Sequence, residues 1–72
     1  MQKSPIERSD QVMGGTVVFR GTRVPVQALM DYLEAGDRLD DFLKDYPTVT
    51  RELAISVLEL AREALQRNAR AS

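Results

Sequence analysis

The chain has 72 residues, of which 43% are hydrophobic and 29% charged, the composition of a folded domain too short to hold more than one core. It has no cysteine and no histidine, so disulfides, thiolate chemistry, the usual general base and the commonest neutral metal ligand are all excluded. The formal net charge of −1 leaves no strong basic footprint of the kind nucleic acid selects.

That charge is unevenly distributed: +2 over residues 1–23, −4 over residues 31–45 and +1 over residues 51–72. The acidic middle faces either water or a basic partner. No uncharged run approaches the roughly 20 apolar residues that span a bilayer. The start MQKSPIERSD has no apolar core of the signal-peptide type. A cytoplasmic chain without membrane contact is therefore expected.

Residues 1–11 read as a flexible arm. The segment TVVFR at 16–20 is β-branched and aromatic and follows Gly14-Gly15, with the apolar pair Val12-Met13 before it. This predicts one strand, or a small hairpin over 12–20. A two-stranded ribbon is barely stable alone, so it must pack on a helix or pair with a second copy. Gly21 then breaks the strand and leaves little room for a side chain, with a β-branched replacement worse still if its φ is positive, while Thr22 can cap the next helix. Pro25 holds Val24 extended and suits a first helical position. The stretch FRGTRVPV thus reads as a strand-to-helix corner.

The first helix is predicted over about 25–35, with Val26, Leu29, Met30 and Leu33 on one face and Gly36 ending it. The second spans about 39–46, with Asp37 as a candidate cap, a stripe of Leu39, Phe42, Leu43 and Tyr46, and Pro47 as terminator. Thr50 opens the third, expected to reach about residue 67 before a frayed tail at 68–72. Its apolar arc is wider than the roughly 100° stripe of a surface helix, so a second chain is expected to cover part of it. Val18, Ile55, Leu60 and Leu65 are the candidate dimer contacts. The whole is a single mainly α domain over 12–67: a small N-terminal strand or hairpin, then a three-helix bundle of helix-turn-helix type, winged or homeodomain-like.

Catalytic chemistry finds little support. Asp40, Asp41 and Asp45 could be drawn as magnesium ligands, but carboxylates on a short amphipathic helix are more often its solvated side. No nucleophile, buried base or phosphate-cradling loop accompanies them. No catalytic residue, metal or cofactor is assigned.

The stretch GGTVVFRGTRVPVQALMDYLEAGDRLDDFLKDYPTVTRELAISVLELA, residues 14–61, resembles the domain of unknown function 433 family of small bacterial and archaeal proteins. The resemblance rests on Gly15, GTRVPV at 21–26, Gly36, the Asp45-Tyr46-Pro47 corner, Thr50 and the helical segment from Ala54 to Ala61. It implies a helix-turn-helix-like fold and an antitoxin role, with a toxin resembling the PIN-domain ribonucleases as cognate partner. On that reading Arg20, Arg23, Arg62 and Arg67 would engage the partner's carboxylates, because a guanidinium fork can hold a carboxylate in two bonds. An autonomous DNA-binding regulator is the alternative. Arg51, Glu52, Ser56 and Glu59 would then read bases, although a face rich in glutamate is ill suited to a groove lined by phosphate. A homodimeric accessory protein with neither activity is the third reading. Gly21, Thr22, Pro25, Gly36 and Pro47 are structural corners in all three.

Overall fold

The computed structural model describes residues 4–9 and 15–71, with side chains as far as residue 69. It is mainly helical: strands β1 (Ile6–Ser9) and β2 (Thr16–Phe19) are followed by helices α1 (Val26–Glu34), α2 (Leu39–Asp45) and α3 (Arg51–Ala71). No described helix is long and apolar enough to cross a membrane.

β1 pairs antiparallel with β2, with Ile6 opposite Phe19 and Ser9 opposite Thr16. This strand lies within the stretch expected as a flexible arm. IERS holds one strong β-former among polar residues, so its conformation comes from pairing with β2 and not from local propensity. The other half of the expected hairpin, Val12-Met13, lies outside the described residues.

β2 is covered on both edges by its own chain. β1 takes one; on the other, Val18 bridges to Pro25 and the Phe19 amide donates to the Val24 carbonyl at 3.0 Å. Neighbouring strand residues point to opposite faces, yet Val18 and Phe19 are both fully buried. Val18 therefore offers no surface to a second chain, contrary to its place among the expected dimer contacts.

The helices begin and end where the chain supplies partners for their free backbone groups. Gly36, at φ 89°, closes α1 while Gly36 and Asp37 donate to the carbonyls of Leu33 and Tyr32, the paired bonds of a Schellman ending. Asp37 does not cap α2. The Asp41 carboxylate instead accepts from the Arg38 amide at 2.9 Å, reaching back from inside the first turn, where it also meets the positive helix end. Thr50 Oγ1 accepts from the Leu53 amide at 3.1 Å, as expected of the cap. α3 continues to Ala71, past the expected end at 67, because NARA contains no glycine or proline to stop it.

Phe19, Leu29, Phe42, Val49, Ala54 and Val57 form the buried core. All four aromatic residues of the chain meet there: Phe42 lies 5.8 Å from Phe19, 5.4 Å from Tyr32 and 4.9 Å from Tyr46 between ring centres. Tilted and edge-on contacts of this kind add about 0.5–1.5 kcal/mol each beyond burial. Val49, in the short link between α2 and α3, is buried as deeply as a helix residue. It ties the link to the core and sets where α3 begins.

Candidate functional site

The corner after β2 is the most heavily bonded loop of the described chain. Gly21 has φ 76°, a region that disfavours any side chain. A Cβ there would meet nothing within 4 Å, so backbone conformation selects glycine, and the crowding expected from the sequence does not. The Gly21 amide donates to Glu7 Oε1 of β1 at 2.7 Å. Thr22 Oγ1 donates to the Phe19 carbonyl at 2.8 Å and accepts from the Val24 amide at 3.1 Å. Thr22 thus braces the corner, where a helix cap had been expected. Pro25 is the residue before the first turn of α1, with ψ 139°, extended as its bridge to Val18 requires.

Arg23 stands exposed in this loop. Three other arginines are occupied: Arg8 Nη1 donates to the Gly15 carbonyl at 3.0 Å, Arg20 Nη1 to the Ser4 carbonyl at 2.8 Å, and Arg51 pairs with Asp40. Among the described residues Arg23 has no hydrogen bond or ion pair.

Beside the corner runs a polar groove of about 740 Å³, walled by Arg20, Gly21 and Thr22 on one side and by α3 on the other. Glu52, Ser56, Glu59 and Glu63 line it over an apolar floor that includes Leu53 and Leu60. With Arg20 as the one cation among its described residues, the lining is acidic. The candidate base readers Glu52, Ser56 and Glu59 do come together here. Arg51 does not join them, because it reaches instead to the Asp40 carboxylate on α2. That guanidinium holds the Asp40 carboxyl below its ordinary value of 3.8.

A second, apolar groove of about 470 Å³ lies between Met30 of α1 and the C-terminal half of α3, where Leu58, Ala61, Arg62 and Leu65 line it. The four candidate partner arginines therefore do not converge. Arg20 belongs to the polar groove, Arg23 to the open corner and Arg62 to the apolar groove, while Arg67 is exposed further along α3. The expected dimer contacts are divided in the same way. Leu60 faces the polar groove, Leu65 the apolar one, and Ile55 lines neither at 40% exposure.

Each carboxylate of α2 that could be drawn as a metal ligand has a protein partner. Asp40 holds Arg51, Asp41 caps its own helix, and Asp45 accepts from the Tyr32 hydroxyl at 2.5 Å. Glu63 was legible from the sequence as the same face as Glu52 and Glu59, at helical spacing. The Asp40–Arg51 and Tyr32–Asp45 links were not, since residues 11 and 13 apart on different helices leave no periodic signal.

Among the comparisons with known proteins, the model of the family described as "Protein of unknown function (DUF433)" matches residues 6–61. No curated protein and no solved structure matches the chain. The matched span begins at β1 and ends within α3, and so contains the corner and most of the polar groove.

Proposed function

This chain belongs to the DUF433 family, and we propose that it is an antitoxin-type inhibitor that binds a ribonuclease resembling the PIN fold through the corner bearing Arg23. One observation carries this reading: an exposed arginine with no hydrogen bond or ion pair among the described residues stands on a backbone held by glycine geometry and several hydrogen bonds. Such a side chain reaches a partner with its main chain already ordered, which lowers the entropy lost on binding. The active site of a PIN-like nuclease is crowded with metal-binding carboxylates. A guanidinium can hold one of them through two parallel bonds, where lysine supplies only a point charge.

We read α2, the link at 46–50 and α3 as helix-turn-helix-like, the architecture the family resemblance implies. Protein binding ranks above DNA binding because α3 presents Glu52, Glu59 and Glu63 to the groove beside the corner, against which Arg20 is the one cation of the described lining. A duplex would meet like charge there. Co-expression with a ribonuclease encoded beside this chain tests the reading. A stable complex with suppressed nuclease activity is expected, and a nuclease that neither co-purifies nor loses activity rejects it.

A further inference from the structure

The polar groove of about 740 Å³ beside the corner is unbalanced in charge within its own lining. Glu52, Glu59 and Glu63 line it from α3, all three are exposed, and none has a hydrogen bond or ion pair among the described residues. Arg20 is the one cation of the described lining, and its Nη1 is engaged by the Ser4 carbonyl at 2.8 Å. Arg62, one turn beyond Glu59, lines the apolar groove instead. Glu59 and Glu63, four residues apart, repel each other along the helix, and a cation lying over them would remove that cost. A merely solvated acidic face has no apolar floor, but this groove does: Leu53 and Leu60, both half-buried, lie in it beside the acids. Glu52-Leu53 and Glu59-Leu60 repeat as pairs at heptad spacing, the interval at which one helix packs along another.

We propose that this groove docks a cationic amphipathic helix of a protein partner, with its lysines or arginines against Glu52, Glu59 and Glu63 and its apolar side chains on Leu53 and Leu60. Helical rise sets Glu59 and Glu63 about 6 Å apart along α3, and Glu52 about 10 Å before Glu59. A helix lying along α3 presents cations at the same intervals when they stand four and seven residues apart, with apolar residues between them. The charges it meets are those of the groove lining itself, so attraction and burial act on the same contact. This surface goes beyond the contact proposed for Arg23, which is of the opposite sign and needs an acidic partner.

The probe is a fluorescein-labelled peptide of lysine, leucine and alanine, about 18 residues long so that it can be helical, with lysines four and seven residues apart on one face. Anisotropy titration with the full chain is expected to show saturable binding. Glu59→Lys with Glu63→Lys, at positions already open to water, is expected to keep the circular-dichroism melt and weaken binding by about tenfold or more. Asp31→Lys with Glu34→Lys makes the same change in net charge away from the groove and is expected to shift affinity by no more than about twofold. A peptide with glutamate for lysine should bind the Glu59→Lys, Glu63→Lys chain and not the parent, and one with serine for leucine should bind the parent more weakly. No saturable binding, equal losses from the two pairs of reversals, or indifference to the leucines overturns the proposal. So does a parent chain that sediments at twice its 8.1 kDa and becomes monomeric on Glu59→Lys with Glu63→Lys, since a second copy would then fill the groove. The assay contains no nuclease, so its failure leaves the Arg23 reading where it stood.

Discussion

The Tyr32 hydroxyl donates to Asp45 Oδ2 at 2.5 Å, which fastens α1 to the last turn of α2 at the rim of the aromatic cluster. The bond favours the protonated phenol. Together with partial desolvation and the nearby Asp45 charge, it pushes the Tyr32 pKa from 10.0 up to about 12. The unfolded chain then releases this proton before the folded chain does. The stabilisation is complete below pH 10 and is lost as pH rises from 10 through 12. Tyr32→Phe is expected to lower the melting temperature by a few degrees at neutral pH and to flatten the fall in stability over that alkaline window. A variant with the parent's melting temperature and the same alkaline slope contradicts the assignment.

The Arg51–Asp40 pair makes a second link, between α3 and α2. Because it depresses the Asp40 carboxyl from 3.8, its contribution is present above that value and disappears as pH falls through the lower folded value. Both side chains are more than half exposed, so the effect is small and weakened by salt. Arg51→Gln is expected to return the Asp40 titration, followed by carboxyl NMR shifts, toward its ordinary value. An unmoved titration rejects Arg51 as the cause.

At the corner, Gly21→Val places a β-branched residue at φ 76°. The space is open, so the cost is backbone strain of about 1–3 kcal/mol with no term for collision. Gly21→Asn, which tolerates the left-handed region, is expected to cost less. Urea denaturation orders the three proteins as parent, Asn and then Val. Equal midpoints for parent and Val remove the strain account.

Arg23→Ala is expected to leave the melting temperature within a degree or two of the parent, since the side chain is exposed and no hydrogen bond or ion pair among the described residues is lost. It is also expected to weaken the complex with the ribonuclease and restore nuclease activity. Truncating an anchor in a packed interface costs about 2 kcal/mol or more, some thirtyfold in affinity. Arg23→Lys should recover little if the bidentate geometry matters. A variant that folds and inhibits like the parent excludes Arg23 as the inhibitory contact.

Much of this architecture is local and was legible as such. The apolar stripes of α1 and α2, the Thr50 cap, the Gly36 ending and the stop at Pro47 are each written within a few residues, because capping, proline geometry and helical periodicity act at that range. The glycine at position 21 was also legible, with two reasons open for it: crowding, or a positive φ. The chain needs the positive φ, in open space.

What lay beyond reach of the sequence depends on residues that meet only when the chain closes. Nothing in IERS marks a strand until β2 is beside it, and Val18 counts as surface until Pro25 returns to cover the second edge. Arg20 and Arg23 are equivalent as letters; one is tied to the Ser4 carbonyl and the other is left open. The leucines of α3 form a single wide arc on a helical wheel. Against the corner and α1 that arc divides into a core side, an acidic groove and an apolar groove. The sequence by itself determined which segments are helical and where α1 and α2 stop, because those choices are made by neighbouring residues. Which side chains are buried, paired or free was decided by tertiary contact, because burial and charge pairing depend on distances that chain order does not set.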